Sequence, residues 1–449
     1  MPIIIDLNDL GIRISAEGQV RAPSIGFATV IDGEVTASGA QALAGFKRHP
    51  RRTFNDAWSR LSTEPMSQAL GLSRADLAAA QLRHCLTEVA AQERDAILIV
   101  PGFWSRESLS LTLGICKACG LNVIGLIDAA AANVTAHYVD QAALHIELNL
   151  HSVGVSRLRQ SERTSEVDNV RGIEACGWLA FMERWLKFFA GQFVRQCRFD
   201  PLHAAASEQA LFGAIPAWLQ QIDKHDEVLL TLSFAGRDYT ATISRIDVIN
   251  AVAPLYQRVA DAARALQGGA ATPAIQMRAT TAALPGFAEM LAVRTGGRYF
   301  VVADDAGVRH IAAQWQSLSL SATQVLRQMP VVVQQTAEGT LASDNPALPT
   351  HVICQSRAYK LQAQALVVGS GVETPPSRYL MLDTSTAGVS GMHCEMHTTA
   401  NECVLTDRSR YGTFLNGNRI SGSAALQPGD VVRVGTPGVE LQLIREETI

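Results

Sequence analysis

The stretch that decides the fold of the C-terminal part lies between residues 390 and 435. It reads Ser390-Gly-Met-His393, then Asp407-Arg-Ser-Arg-Tyr-Gly-Thr-Phe-Leu-Asn-Gly417, and then Leu426-Gln-Pro-Gly-Asp430-Val-Val-Arg-Val-Gly435. Short apolar and β-branched runs alternate here with Gly, Asn, Asp and Pro, the residues that tight turns require. The pattern extends over residues 351–449 and predicts an all-β sandwich there.

The order of these motifs is more specific than their composition. They resemble the forkhead-associated (FHA) domain, which has a Ser-x-x-His loop, a second loop ending in Gly-Thr, an Asn-Gly turn and a Gly-Asp before its last strands. The resemblance covers residues 351–449. It implies a β-sandwich whose loops bind a phosphothreonine peptide, so the expected partner is a phosphorylated protein.

The resemblance also implies roles for individual residues. Phosphothreonine is a dianion with strong acceptor oxygens, and its site needs hydroxyl and N–H donors together with a cation. By resemblance, Ser390 donates to the phosphate and Arg410 supplies the charge. The residues expected to bind the phosphopeptide are Ser390, Arg410, Ser409, Tyr411 and Ser370. The residues expected to hold the loops and brace the peptide-binding face are His393, Gly412, Thr413 and Asn416.

Three positions depart from the family pattern. The family usually has an arginine after the glycine that ends the second strand, but Ser370 stands there. Gly391 replaces an Arg or Asn after the loop serine, and Tyr411 replaces the Asn before Gly-Thr. Losing one charge-assisted contact weakens binding by about tenfold to a hundredfold. Arg378 and Arg408 are candidates to compensate, and a sandwich that binds its partner without phosphate remains the alternative.

The region upstream alternates strands with helices. Ala96–Val100 and Val123–Ile127 are apolar runs of strand length, and Ser105–Cys119 between them has a helical pattern. Further helical patterns cover residues 66–92 and 129–138. Such alternation predicts an α/β architecture with a partly parallel sheet.

Two segments of this region carry a second resemblance. They read Ile97-Leu-Ile-Val-Pro-Gly-Phe-Trp-Ser-Arg-Glu107 and Ala118-Cys-Gly-Leu-Asn-Val-Ile-Gly-Leu-Ile-Asp-Ala-Ala-Ala131. Together with weaker pieces in matching order, they resemble the actin-like ATPase domain of DnaK-type heat-shock chaperones. This implies a two-lobed, duplicated ribonuclease H-like body at 1–325, a linker at 326–350 and the FHA domain at 351–449.

The nucleotide site of that family is altered in this chain. The first phosphate loop, Asp-x-Gly-Thr in the family, corresponds to Asp6-Leu-Asn-Asp9. The second loop, which is glycine-rich in the family, corresponds to Glu147-Leu-Asn-Leu-His-Ser152. Leu43 stands in place of the catalytic lysine, and Ala129 in place of the glutamate that joins the lobes. Phosphoryl transfer depends on positioning and charge neutralisation, so we expect no efficient ATP hydrolysis and no catalytic residue. The positions of the degenerate site are Asp6, Asn8, Glu147 and Ser152.

Composition narrows the function further. The 449 residues carry a net charge of −4 and contain no Lys/Arg block, which argues against nucleic acid as a partner. The N-terminus lacks the features of a signal peptide, and polar residues interrupt the most apolar stretch, 121–136. We therefore expect a cytoplasmic protein without membrane contact. Cys116-x-x-Cys119 leaves zinc or redox chemistry as an alternative to buried thiols.

These observations predict a non-enzymatic adaptor or scaffold that recognises a phosphothreonine-containing protein and needs no cofactor or metal. Two alternatives remain. One is a chaperone-like switch in which bound ATP and Mg²⁺ control the presentation of the FHA domain. The other is a structural subunit of a homo- or hetero-oligomeric assembly that acts without phosphate.

Overall fold

The computed structural model describes the chain except residues 69, 88–94, 139–140, 162, 269–271, 332–348, 355–356, 363, 373–374, 383–387, 399–402, 428–429, 436–437 and 445–449. The chain divides into two compact units, Met1–Ala342 and Ser343–Ile449.

The first unit is a mixed α/β structure. Its strands are β1 (Ile3–Asp6), β2 (Arg13–Ala16), β3 (Gln19–Val20), β4 (Ala28–Ile31), β5 (Glu34–Ser38), β6 (Thr53–Phe54), β7 (Asp95–Val100), β8 (Asn122–Asp128), β9 (Ala142–Leu148), β10 (Ser152–Gln160), β11 (Thr164–Glu174), β12 (Glu227–Phe234), β13 (Arg237–Ser244), β14 (Pro273–Arg278), β15 (Arg298–Val302), β16 (Val325–Leu326) and β17 (Gln328–Pro330). Its helices are α1 (Ala40–Leu43), α2 (Arg74–Thr87), α3 (Arg106–Ala118), α4 (Ala129–Asn133), α5 (Trp178–Cys197), α6 (Ala205–Ile222), α7 (Arg245–Gln267), α8 (Ala279–Ala282), α9 (Phe287–Thr295) and α10 (Ala306–Gln314).

Two large sheets of this unit repeat one strand order. The first has the order β16-β8-β7-β1-β2-β3, and the second has the order β15-β14-β9-β10-β11-β17. The repeat is the five-strand set β8-β7-β1-β2-β3 in the first sheet and β15-β14-β9-β10-β11 in the second, and the short strands β16 and β17 are added at one edge of each. In each five-strand set the first three strands along the chain form an antiparallel meander, and two later strands add parallel to the first. The small sheet β5-β4-β6 and the hairpin β12-β13 stand outside this repeat.

Local sequence signals set several of these elements. The Asp32-Gly33 turn joins β4 to β5, and both residues have positive φ, 50° and 80°, as a two-residue hairpin turn requires. Ser105 caps α3 by accepting a hydrogen bond from the backbone N–H of Ser108 at 3.1 Å. Apolar side chains on β1, β7, β8, β9 and β14 pack with α4 and α10 into one buried cluster that contains residues of both large sheets.

Three predictions about local structure are wrong. The helix expected over 66–92 begins only at Arg74, because Ser73 caps it and forms a β-bridge with Pro65: the Ser73 N–H donates to the Asp76 carboxylate at 2.8 Å, and the Ser73 hydroxyl oxygen accepts from the Asp76 N–H at 3.2 Å. The helix expected over 129–138 ends at Asn133, whose side chain bends back to the carbonyl of Ala129. The expected linker begins too early: β16 and β17 pair with strands of the first unit. Most of the remaining linker lies outside the described residues.

The second unit is a β-sandwich, as the turn-rich pattern predicts. Its strands are β18 (His351–Cys354), β19 (Arg357–Lys360), β20 (Leu366–Gly369), β21 (Tyr379–Met381), β22 (Cys394–Thr398), β23 (Cys403–Asp407), β24 (Thr413–Leu415), β25 (Asn418–Arg419), β26 (Ser423–Ala425), β27 (Val431–Val434) and β28 (Val439–Ile444). They form one sheet of order β19-β18-β28-β27-β24-β25 and another of order β21-β20-β22-β23-β26. Apolar side chains from both sheets, including Val352, Val432, Met396 and Leu405, form a single buried core.

Candidate functional site

A buried histidine ties together the two loops that carry the predicted phosphate-binding residues. His393 stands just before β22, and its side chain is fully buried. Its Nδ1 accepts a hydrogen bond from the backbone N–H of Ser390 at 3.0 Å. Its Nε2 lies 3.2 Å from the carbonyl oxygen of Gly412, to which it donates in this tautomer. Burial lowers the pKa of His393, so the neutral ring that both contacts require is favoured at neutral pH.

The loops place Ser390 and Arg410 next to each other. The backbone N–H of Arg410 donates to the Ser390 hydroxyl oxygen at 3.3 Å. This contact leaves the hydroxyl hydrogen of Ser390 available to donate to a ligand. Arg410 is exposed, and its guanidinium has no hydrogen bond or ion pair to any residue that the structure describes. The Ser390 hydroxyl therefore lies beside the backbone of a residue whose cationic side chain is exposed.

Asp407 braces the second loop from its start. Its carboxylate accepts hydrogen bonds from the Thr413 hydroxyl at 2.7 Å and from the Ser409 N–H at 3.0 Å. The Ser409 hydroxyl in turn accepts from the N–H of Gly412 at 2.7 Å. Burial acts to raise the pKa of Asp407, but the hydrogen bonds from Thr413 and Ser409 outweigh it and lower the pKa. Ser409 and Thr413 thus hold the loop in shape.

Ser370 supports the serine loop. Its backbone N–H donates to the carbonyl of Ser390 at 3.1 Å, and its hydroxyl donates to the carbonyl of Val389 at 3.1 Å. Tyr379 works beside it: its hydroxyl accepts from the Gly371 N–H at 2.8 Å and donates to the carbonyl of Gly391. Sequence reasoning missed Tyr379, because a tyrosine in a three-residue strand carries no motif signal.

Two further predicted residues lie on the same module. Tyr411 follows Arg410 and is 64% exposed, so its ring can touch a bound chain. Asn416 has φ of 49° in the Asn-Gly turn between β24 and β25. Its side-chain amide donates to Asp430 at 2.8 Å, and its carbonyl oxygen accepts from the Val431 N–H at 2.9 Å. Asn416 thereby fixes the turn against the start of β27.

In the first unit, the two loops predicted as phosphate loops are hydrogen-bonded to each other. The Asn8 side chain donates to the carbonyl of Leu148 at 2.9 Å and to Glu147 Oε1 at 3.3 Å. The Asp9 carboxylate accepts from the backbone N–H of Leu150 at 2.7 Å. The side chain of Leu150 is fully buried in an apolar cluster. The two loops therefore bond directly to each other.

Arg278, at the end of β14, lies between the acidic residues of these two loops. Its Nη2 is 2.7 Å from Asp6 Oδ2 and 3.9 Å from Glu147 Oε1, and all three side chains are at least 95% buried. Desolvation raises the pKa of Glu147 to about 7, although the Arg278 charge opposes this. Sequence reasoning missed Arg278; the available signal was a charged residue closing an otherwise apolar strand.

The remaining candidates give no further chemical centre. Ser152 is buried at the start of β10 and lines a cavity of about 140 Å³ with Asp9 and Asn149. Cys116 and Cys119 are free thiols, and burial raises the pKa of Cys116 to about 12, which disfavours thiolate chemistry. No group of three or more His, Cys, Asp or Glu side chains suited to a metal occurs in the described part of the chain. Among the same residues, no helix has the length and apolar character needed to cross a membrane.

The second unit therefore belongs to the class of two-sheet β-sandwich modules. Within that class, the sequence profile of the FHA domain matches residues 366–435, so this segment is an FHA domain. The match confirms the family predicted from the Ser390 and Gly412 loops. FHA domains bind phosphorylated protein partners. No curated protein matches the chain.

Proposed function

We propose that the protein is a non-enzymatic adaptor whose FHA domain recognises a phosphothreonine-containing partner. The observation that carries this proposal is the meeting of the Ser390 hydroxyl with Arg410, joined by a 3.3 Å hydrogen bond and braced from behind by His393. A phosphate dianion needs strong donors and positive charge on a preformed frame. Ser390 donates to a phosphate oxygen, and the Arg410 guanidinium balances the charge.

We further propose that the first unit is an actin-like body that has lost nucleotide chemistry. Its support is the strand order shared by the two large sheets, a meander of three strands followed by two parallel additions, which is the order expected of a duplicated ribonuclease H-like fold. The loops at Asp6 and Glu147 bond to each other through Asn8, and Arg278 supplies a cation between them. A first unit of this kind bears the phosphopeptide-binding FHA domain and does not hydrolyse ATP.

The test of the reading function is phosphopeptide binding by the full chain. A phosphothreonine peptide library and its unphosphorylated copy are presented to the wild-type protein, to Ser390→Ala and to Ser423→Ala. Ser423 lies on β26 and serves as a matched serine control. We expect binding that requires phosphate, is lost in Ser390→Ala and persists in Ser423→Ala. Equal binding of both libraries, or none of either, would refute the reading function.

The loss of nucleotide binding by the first unit is tested by measuring its unfolding temperature with and without ligand. A ligand at about 100 times its Kd stabilises the folded state by roughly 2.7 kcal/mol. We expect no shift of the first unit with millimolar Mg-ATP. Tryptophan fluorescence reports this unit selectively, because all six tryptophans lie within residues 58–315. A concentration-dependent shift would instead support the nucleotide-controlled switch.

A further inference from the structure

The phosphate site described above has one solvated cation for a dianionic ligand. The usual arginine position is Ser370, whose hydroxyl donates to a backbone carbonyl. The two candidate substitutes are engaged elsewhere. Arg378 donates to two backbone carbonyls, and Arg408 pairs with Glu395 at 2.7 Å. A phosphothreonine carries a charge of about −1.5 to −2 at neutral pH, so Arg410 alone leaves the charge unbalanced.

Arg419 lies against the loop that carries Arg410. It stands on β25 directly opposite Phe414 of β24. A Cβ atom built on Gly412 would lie 2.5 Å from Arg419 Nε and 3.0 Å from its Cζ, so the guanidinium rests on the face of this glycine. Gly412 has φ of 99°, a conformation that also favours glycine. A side chain at position 412 would push the guanidinium away from the loop.

Among the residues that the structure describes, Arg419 has no charged partner. The residue is exposed, and no acidic side chain within the described ranges forms an ion pair with it. The backbone of Gly412 connects it to the rest of the site. The carbonyl of Gly412 bonds His393 Nε2, whose other nitrogen bonds the N–H of Ser390. A second cation thus sits beside Gly412, in the loop that carries Arg410.

We propose that Arg419 is the second cation of the phosphate site and takes the role that the arginine usual at position 370 has in the family. This inference rests on the proposed reading of phosphothreonine. Arg419 reaches the site across the bare face of Gly412, so the two residues act as a pair. The partner it selects is a phosphorylated peptide in its dianionic form, because two arginines attract two negative charges more strongly than one.

The chain offers a matched control for this inference. Arg433 stands on β27, on the other side of Phe414, with its Cζ 4.1 Å from the centre of the Phe414 ring. Removing its charge changes the net charge of the domain as much as removing that of Arg419 does. The Arg433 guanidinium donates to the carbonyl of Gly435 at 3.3 Å and lies over the Phe414 ring. A difference between the two variants therefore reports position, not net charge.

The experiment measures Kd for the tightest phosphothreonine peptide of the library and for its unphosphorylated copy, using the full chain at low and high salt. We expect Arg419→Gln to weaken phosphopeptide binding by about tenfold and to reduce its salt dependence. Arg419→Lys should retain most of the affinity, and Arg433→Gln should bind like the wild type. An unchanged Kd in Arg419→Gln, or equal weakening for both peptides, would overturn the inference while leaving the reading function intact. Failure of the wild type to bind any phosphopeptide would overturn both.

Discussion

The two units of this protein use arginine in opposite ways. In the FHA domain, Arg410 projects from an exposed loop with its charge solvated and available. In the first unit, Arg278 is buried and 2.7 Å from Asp6, with Glu147 nearby. A cation that is already desolvated and paired has little left to offer a ligand, whereas a solvated one beside a hydroxyl donor can still bind a phosphate.

The difference teaches where a charged ligand can act on this molecule. The FHA loops are held by His393, Asp407 and Ser370, so the Ser390 hydroxyl hydrogen and the Arg410 guanidinium stay available to a ligand. In the Asp6 and Glu147 loops, hydrogen-bond donors and acceptors of one loop pair with those of the other. The comparison predicts that mutations at the buried cluster change stability without changing ligand binding, and that mutations at the FHA loops do the reverse.

The largest expected effect is a loss of stability when the buried ion pair between Arg278 and Asp6 is broken. Arg278→Met keeps the length of the side chain but leaves Asp6 charged, buried and uncompensated, which should destabilise the first unit by about 3–5 kcal/mol. Urea unfolding followed by tryptophan fluorescence measures this loss. Phosphopeptide binding should be unaffected.

A second variant and a control make this result specific. Arg278→Met combined with Asp6→Asn should recover much of the lost stability, because the unpaired carboxylate is gone. Arg309 forms an exposed ion pair with Asp305 on α10, and Arg309→Met should change stability by less than about 0.5 kcal/mol. If Arg278→Met is as stable as the wild type, Arg278 does not stabilise the first unit by neutralising the buried Asp6 carboxylate.

The next effect depends on pH. The pKa of Glu147 is about 7 in the folded protein, against its ordinary value of 4.5. The folded state therefore holds a proton that the unfolded chain releases, so the stabilising contribution of Glu147 is present below pH 4.5 and lost as the pH rises to 7. Relative to Glu147→Gln, which does not titrate, the wild type should lose about 2.5 kcal/mol of unfolding free energy between pH 5 and pH 8.

Urea titrations of both proteins at pH 5 and pH 8 provide the measurement. Using the difference between wild type and variant removes the titration of all other groups. If the difference in unfolding free energy between wild type and variant is the same at both pH values, Glu147 is ionised at both. The buried cluster would then carry the negative charge of Glu147 as well as that of Asp6.

Sequence reasoning succeeded where the determining contacts are local. The two strands and the helix predicted from the apolar runs at 96–100 and 123–127 and the helical pattern at 105–119 are β7, β8 and α3, and each depends on residue spacing within one short segment. The FHA motifs likewise lie within one short stretch of chain, and the matched segment 366–435 confirms them. Turn geometry and capping are set by residue type, so their sequence signals are strong.

It failed where the contact joins distant parts of the chain. Arg278 and Asp6 are separated by 272 positions, and nothing in the sequence pairs a strand-ending arginine with a particular carboxylate. Arg419 was passed over for a related reason, because its closeness to Gly412 follows from the pairing of β25 with β24. The early end of α4 depends on the Asn133 side chain, whose oxygen also accepts from Gly307 and Arg278.

The contribution of the exposed arginine to phosphopeptide affinity is tested at Arg410. Arg410→Gln removes one exposed charge from the phosphate site, and a hydrogen bond to a charged group is worth about 1.5–3 kcal/mol. Phosphopeptide affinity should therefore fall by about tenfold or more, with unfolding of both units unchanged. Calorimetric titration with the phosphorylated peptide measures this change. Unaltered affinity would show that the exposed arginine does not contact the phosphate.

The smallest effect is expected at Asn416, which separates bracing from binding within the FHA domain. Asn416→Ala removes the bonds to Asp430 and Val431 and leaves a residue that tolerates a φ of 49° poorly, so the domain should lose about 1–2 kcal/mol of stability. Asn416→Gly removes the same bonds but relieves the backbone, and should cost less. Tyrosine fluorescence or far-UV circular dichroism of the β-sandwich transition follows both variants. If phosphopeptide affinity falls in Asn416→Ala more than stability does, Asn416 contacts the ligand and the division between bracing and binding residues must be redrawn.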